Sequence, residues 1–289
     1  MVNRNLILSR SDSYELLDSG NGRKLERFGD YTLIRRESQA LWNEKNPKLW
    51  EKIDAEYIRT NEKFGDWKIY NPKLPKEWIY AYGDLHLKLA LTPFGHVGVF
   101  PELAPQWDLI TEKCGLIHTP KVLSLFSYTG AATLAAARGG AHVTHVDASK
   151  PAISWAVENQ KLSGLTEKPI RWILDDALKF VKREERRGNR YDGIIMDPPK
   201  FGRGPKGEVW QFEKDLPELL SYTAKILTPS PLFLIVTAYT VPVSSITIAN
   251  MIQDLLPKNG EIEHGELIIE ENSGRQLPTA IYSRWGVSL

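Results

Sequence analysis

The chain of 289 residues has a single cysteine, Cys114. This excludes a disulfide framework and a multi-cysteine zinc site, and fits a reducing compartment. An excess of one charge is also missing. Lys and Arg total 37 against 36 for Asp and Glu, a net charge of +1, so any nucleic-acid surface has to be a local patch. No stretch approaches the roughly 18 apolar residues of a membrane span. The opening MVNRNLILSRSDSYELL has a brief apolar run but no signal-peptide pattern. Internal repeats and low-complexity segments are absent as well. These absences lead to the expectation of a cytoplasmic protein with no membrane partner.

What is present is a composition 42% hydrophobic and 10% aromatic, enough for a large core and for two domains. From about residue 10 to 110 the pattern is short and β-like. YELLDSGNGRKLERF, DYTLIRRE, WKIY, WIYAY and HLKLALT are separated by turn formers, and PKLWEKIDAEYIRT (47–60) reads as a helix. Trp42, Trp50, Trp67, Trp78 and Trp107 crowd this half, as core or domain-interface residues.

After Pro120 the rhythm becomes strand, loop, helix. KVLSLFS, HVTHVD, IRWILDD, YDGIIMD and PLFLIVTAY alternate with ATLAAARGG, KPAISWAVENQKLSG, ALKFVKREERRG and FEKDLPELLSYTAKIL, whose apolar spacing is helical. Parallel βαβ units with helices on both faces follow. Ser149 caps the helix that Pro151 opens, and Gly164 closes it. GEIEHGELIIEE and LPTAIYSRWGV end the chain as a β-like pair around NSGRQ. The expected domains are a β-rich one over 1–112, for substrate recognition or as a cofactor lid, and a catalytic one over 113–289.

In an open parallel sheet, ligands bind beyond the carboxyl ends of the strands, where strand order reverses. The first strand runs into Ser127, Tyr128, Thr129 and Gly130 with one glycine. The dinucleotide fingerprint G-x-G-x-x-G is missing, so a nucleotide-like ligand without a pyrophosphate fits better than NAD. A plain strand-to-helix turn is the competing reading. The second strand ends at Asp147, placed to accept from ribose hydroxyls or simply to begin the turn before Ser149. The third ends in Asp175 and Asp176. One could accept the exocyclic amine of adenine while the other caps the next helix. The fourth, IIMDPPKFGRG, ends at Asp197. Pro198 and Pro199 behind it lack N–H donors and hold the backbone extended, so that a planar substrate amine could donate to the carboxylate and to a proline carbonyl.

The order FSYTG, VDAS, Asn159, DD and MDPPKF resembles the class I S-adenosylmethionine-dependent methyltransferases, and among them the bacterial large-subunit ribosomal RNA methyltransferase I/K family, over roughly residues 90 to 285. The resemblance implies a Rossmann-like fold with a mostly parallel seven-stranded sheet and a C-terminal antiparallel hairpin, beside a smaller β-rich N-terminal domain. It implies S-adenosylmethionine bound at Phe126, Ser127, Tyr128, Thr129 and Gly130, its ribose on Asp147, its adenine near Ser149 and Asp176 or Asp175, with Asn159 and Asp197 also in the cofactor set. Phe100 and Pro101 join them, with Glu102 and Gln106, because GVFPELAPQWD resembles the stretch that folds over the cofactor in relatives. The catalytic residues implied are Asp197, Pro198, Pro199 and Phe201.

Two departures bear on the chemistry. Relatives that make 5-methylcytosine carry a cysteine after the fifth strand, where this chain has Ala238 and Tyr239, so a thiolate mechanism is not expected. The N-terminal half does not resemble the small RNA-binding module that opens many relatives. Methyl transfer from a sulfonium is an in-line displacement that needs no metal, and Asp197 would orient a base nitrogen rather than act as a strong base. Lys200, Arg203 and Lys206, in a flexible glycine-containing loop, would meet the phosphates of ribosomal or other structured RNA, with Trp210 and Phe212 stacking bases or anchoring the loop. KREERR, Lys182 to Arg187, reads as an exposed helix face. The alternatives are methylation of a small molecule or protein side chain, and a non-catalytic RNA-binding protein with a relic Rossmann domain.

Overall fold

The computed structural model describes residues 1–11, 13–60, 65–256 and 258–287. The chain divides into two compact units, one of Met1–Leu6, Pro105–Leu267 and Ala280–Leu289, the other of Ile7–Ala104 and Ile268–Thr279. Two short strands, β1 (Val2–Asn3) and β2 (Leu6–Leu8), open the chain.

In the second unit, β3 (Tyr14–Gly20), β4 (Arg23–Phe28), β5 (Tyr31–Arg36), β6 (Ala55–Arg59) and β7 (Gly65–Ile69) form a sheet in that order, and β8 (Glu77–Tyr82) pairs with β9 (Leu85–Ala90). Asn21 and Gly22, at φ +52° and +74°, make the tight turn between β3 and β4, the conformation two-residue hairpins require. Residues 47–60 are not the helix expected. Pro47–Glu51 is a 3-10 helix, and the rest enters the sheet as β6. Asp54 decides this: its N–H bonds the Thr32 carbonyl and its carboxylate accepts from the Thr32 N–H, which locks the chain to β5. Trp78 is buried here, while Trp42, Trp50 and Trp67 are half-buried. The core of this unit also holds charge. Glu26, fully buried, takes both Arg35 donors and the Tyr14 hydroxyl.

The first unit is the α/β layer structure. Its strands are β10 (Lys121–Leu125), β11 (His142–Asp147), β12 (Ile170–Leu174), β13 (Gly193–Met196), β16 (Phe233–Ala238) and most of β17 (Glu261–Glu270) and β18 (Gln276–Gly286), with a separate ribbon of β14 (Phe201–Arg203) and β15 (Val209–Gln211). Its helices are α1 (Ala104–Gly115), α2 (Ala131–Arg138), α3 (Lys150–Leu162), α4 (Ala177–Arg186), α5 (Phe212–Lys225) and α6 (Ser245–Leu255). The main sheet runs β1-β17-β18-β16-β13-β10-β11-β12, and β2 also pairs with β17. β12 to β16 are parallel throughout and β18 is antiparallel to β16. The sheet is therefore mixed and has nine described strands, not seven. The additional members, β1 and β2, come from the brief apolar run at the chain start, which pairs with β17.

β13 and β16 are buried along their whole length, as strands covered on both faces must be, whereas edge strand β12 is only partly covered. One face presents Leu123, Leu125, Val146, Ile194, Met196, Leu234 and Val236 to a layer built from α4, α5 and α6. The other carries α2, whose Thr133 hydroxyl bonds His145 Nδ1 at 2.9 Å. Among the described residues no helix is long and apolar enough to cross a membrane.

Candidate active site

The strand order reverses between β10 and β13. From β10 the chain moves outward through β11 and β12, then returns to the other side of β10 to form β13 and β16. The loops leaving β10 and β13 must diverge there, which opens the crevice where open α/β sheets bind ligands.

The loop after β10 is held in a rare conformation. Phe126, Tyr128 and Gly130 have φ of +53°, +48° and +87°, and for the two non-glycine residues the left-handed region costs about 1–2 kcal/mol each. Asp147, at the end of β11, offsets that cost. Its Oδ2 accepts from the Tyr128 N–H and its Oδ1 from the Ser149 N–H, both at 2.8 Å. One carboxylate therefore joins the loops after β10 and β11. Burial pushes its pKa upward, against the backbone N–H groups that favour the ionised form. Gly130 stands before the first residue of α2, which has no side-chain cap, and a Cβ on it would lie 2.9 Å from the Ala156 Cβ. The Ser127 hydroxyl donates within the strand layer, to Ser124 Oγ and the Val146 carbonyl. Asn159 is a strut: fully buried on α3, its amide donates to the Thr129 carbonyl at 2.9 Å.

Ser149 caps α3 through the Ala152 N–H, as its place before Pro151 suggests. After β12, Asp176 accepts the Lys179 N–H and is the cap of α4, while Asp175 pairs with Arg183. The two carboxylates left open by the sequence thus divide, and Asp176 has the capping role.

After β13, the Asp197 N–H donates to the Leu125 carbonyl at 3.3 Å and its Oδ1 is buried. Pro198 is buried and Pro199 exposed. The two proline carbonyls differ. That of Pro199 accepts Trp210 Nε1 at 2.7 Å, whereas no hydrogen bond among the described residues takes that of Pro198. Trp210 also packs its ring 4.9 Å from that of Phe126, so this buried tryptophan ties the loop after β13 to the loop after β10. Phe212 is buried too, and neither ring is available to stack on a base.

The segment expected to be one loop contains a two-stranded ribbon: Arg203 lies in β14, Lys200 just before it and Lys206 in the turn to β15, where Glu208 accepts the Lys206 N–H and bonds Lys179 at 2.6 Å. Phe201 is 64% exposed on this ribbon, with Lys200 Nζ 5.8 Å from its ring centre. KREERR is not wholly solvated either: Glu184 is buried and accepts from Tyr191, Asn189 and Arg187.

In the other unit, Phe100 packs 5.2 Å from His96, Pro101 is buried, and burial raises the pKa of the buried Glu102. Gln106 of α1 bonds Thr237 near the end of β16, both buried. Gln106, which the resemblance places over the cofactor, thus ties α1 to the end of β16.

A mixed sheet whose parallel strands reverse order between β10 and β13, one glycine rather than three after β10, and a carboxylate after β11 define a Rossmann-like methyltransferase fold. Residues 103–211 match the family described as Conserved hypothetical protein 95. The crystal structure of the S-adenosylmethionine-dependent methyltransferase from Agrobacterium tumefaciens is 43% identical, with a TM-score of 0.94 over 98% of this chain and 93% of that one. The chain belongs to the class I S-adenosylmethionine-dependent methyltransferases, and S-adenosylmethionine is its cofactor. Half of it is also similar to ribosomal RNA large subunit methyltransferase K/L of Shewanella frigidimarina, 35% identical over 145 residues. That match spans only 20% of the relative's length. A methyltransferase structure from Streptococcus mutans, 17% identical with a TM-score of 0.73 over 96% of this chain and 76% of that one, shares the fold.

Proposed function

We propose that the protein methylates a nitrogen of a base in structured RNA, with ribosomal RNA the first candidate, and does so without a cysteine nucleophile. The observation that carries this reading is the place of Asp197 and Pro198 directly after β13, beside the strand reversal, with the Pro198 carbonyl taking no hydrogen bond among the described residues. In this reading the carboxylate and that carbonyl, with no thiol, receive a planar N–H donor.

The residues at the crevice suit S-adenosylmethionine. Asp147 offers carboxylate lone pairs to ribose hydroxyls, and a loop with a single glycine accommodates a ligand that has no pyrophosphate. When bound, the cofactor supplies a methyl group made electrophilic by its sulfonium. The chain's contribution is position and charge. Phe126, Ser127, Tyr128, Thr129, Gly130 and Asp147 form the cofactor side, with Ser149 and Asp175 towards the adenine. Asn159 acts through Thr129, and Asp176 through the helix it caps. Asp197 and the Pro198 carbonyl hold the acceptor amine in line and stabilise positive charge as it develops on nitrogen. Pro199 serves by fixing Trp210, and Phe201 offers an exposed ring to the substrate base.

Cys114 supports the absence of covalent activation. It is buried and its thiol is pushed up to about 12, so it is not a thiolate at neutral pH. RNA is favoured by Lys200, Arg203 and Lys206 on the ribbon that follows Asp197, and by the name of the Shewanella relatives. The β-rich unit, with Phe100 and Pro101 at its end, is assigned to substrate selection or to covering the cofactor.

The test is to incubate the protein with methyl-labelled S-adenosylmethionine and ribosomal RNA from cells lacking its gene, then resolve the nucleosides. Label in a nitrogen-methylated base is expected. Label in 5-methylcytosine would contradict the nitrogen reading, and label only in protein or small molecules would contradict RNA.

A further inference from the structure

At the opposite end of the sheet from Asp147 and Asp197 lies a second cleft, of about 390 Å³, within the same unit. It is lined by the first residues of three parallel strands and by the connection from α4 to β13. The register places its charges on one face. Lys121 pairs with His142, His142 lies two residues before Thr144, and Thr144 pairs with Arg171, so all four side chains project from the same side of the sheet. Arg190, in the connection from α4 to β13, lines the same cleft.

The heads of this group are exposed and, among the described residues, none of Lys121, His142, Arg171 and Arg190 forms a salt bridge. The carboxylate in the wall, Glu184, accepts hydrogen bonds from Tyr191 at 2.8 Å, Asn189 at 2.7 Å and Arg187 at 3.1 Å, and against the effect of burial these, with the charge of Arg171 at longer range, hold it below the usual carboxylate range. Thr144 and Tyr191 form a buried floor. In a chain whose formal charge is only +1, three cations outside any salt bridge among the described residues, and a histidine, around one concavity are a concentration of charge that nothing in the cofactor site uses; Arg190 donates only to the Asn189 carbonyl. A cleft of this size lies within the roughly 300–1,000 Å³ range of ligand sites. β11 separates it from Asp147 by five residue steps, roughly 17 Å at the rise of a parallel strand.

We propose that this cleft is a phosphate-binding site, built for a ligand with at least two adjacent phosphate groups. Two sources share that chemistry: the backbone of an RNA that reaches past the methyl-transfer end, and a free nucleotide. The proposal does not depend on which acceptor is methylated, or on RNA being the substrate.

The experiment uses the full chain, a combined Lys121→Ala, Arg171→Ala, Arg190→Ala variant, and Arg171→Ala alone should the combined variant fold poorly. Inorganic pyrophosphate is titrated calorimetrically, and a fluorescein-labelled RNA hairpin is titrated by anisotropy between about 50 and 200 mM salt, a range over which phosphate contacts separate clearly. Pyrophosphate affinity is expected to fall at least about tenfold in the combined variant and by a smaller factor in Arg171→Ala, at one unit of charge per side chain. If the source is an RNA backbone, the salt slope of hairpin binding falls by about two to three, and if it is a free nucleotide, only the pyrophosphate arm changes. Affinity for S-adenosylmethionine should stay within about twofold, as for sites more than 10 Å apart that share no partners. Unchanged binding of both pyrophosphate and the hairpin overturns the proposal, even if methyl transfer to RNA is demonstrated. Loss of pyrophosphate binding sustains it even if that transfer is not.

Discussion

Replacing Asp147 by alanine should damage stability and cofactor binding together, because a single carboxylate serves both. Its two oxygens accept the Tyr128 and Ser149 N–H groups at 2.8 Å. Hydrogen bonds to a charged group contribute about 1.5–3 kcal/mol each, so the pair sets an upper bound of about 6 kcal/mol. Burial raises the carboxyl's pKa, so removing the charge recovers part of its desolvation cost, and a net loss of about 2–3 kcal/mol is expected. Phe126 and Tyr128 would then leave the left-handed region. Urea unfolding reads the first effect. Calorimetry with S-adenosylmethionine reads the second, expected at about a hundredfold, or roughly 3 kcal/mol. A pH arm isolates the ionised form. Because the folded-state pKa is raised, the carboxylate is lost as pH falls through a value above the ordinary 3.9 or so, and cofactor affinity should weaken there. The same titration of Asp147→Asn should be flat. An Asp147→Ala protein with unchanged unfolding midpoint and unchanged affinity would refute the reasoning.

Gly130→Ala places a Cβ at φ +87° and 2.9 Å from the Ala156 Cβ, so a loss of about 1–3 kcal/mol is expected by urea unfolding, along with weaker cofactor binding. Cys114→Ala should retain methyl transfer within about twofold in the labelled-cofactor assay, since a buried thiol with a pKa pushed up to about 12 supplies no nucleophile. Glu26→Gln should cost about 3–5 kcal/mol in the unfolding of its unit, because Arg35 would remain buried without its counter-charge. Burial alone would raise the Glu26 pKa, but Arg35 and Lys24 hold it below the usual value. Its stabilisation is therefore present above the unfolded pKa near 4.3 and lost as pH falls through the lower folded value, which acid unfolding of wild type against the variant checks.

The α/β half was legible because local signals agreed with the fold. KVLSLFS, HVTHVD and YDGIIMD are apolar runs that end in polar residues, and Ser149, Pro151 and Gly164 mark the limits of α3 through backbone geometry that any surrounding would preserve. What stayed illegible depends on partners far away in sequence. The helical spacing of 47–60 is overridden by Asp54 bonding Thr32, 22 residues back. The chain start joins the catalytic sheet through β17, which no local pattern announces. Charge content alone made KREERR read as a solvated face, whereas Glu184 turns inward to Tyr191. At the site, the strand-end carboxylates were evident from sequence. The division of labour between Asp175 and Asp176, and the difference between the Pro198 and Pro199 carbonyls, required the positions of Lys179, Arg183 and Trp210.

The most direct test of the central claim is the behaviour of Asp197→Ala with labelled S-adenosylmethionine and ribosomal RNA under single-turnover conditions. Cofactor affinity should remain within a few-fold of wild type while transfer to RNA falls by a factor of about 100 or more, the size of effect seen when one preorganised electrostatic group is removed. Transfer at the wild-type rate, with the label still entering RNA, would contradict the assignment of Asp197 as the group that orients the acceptor.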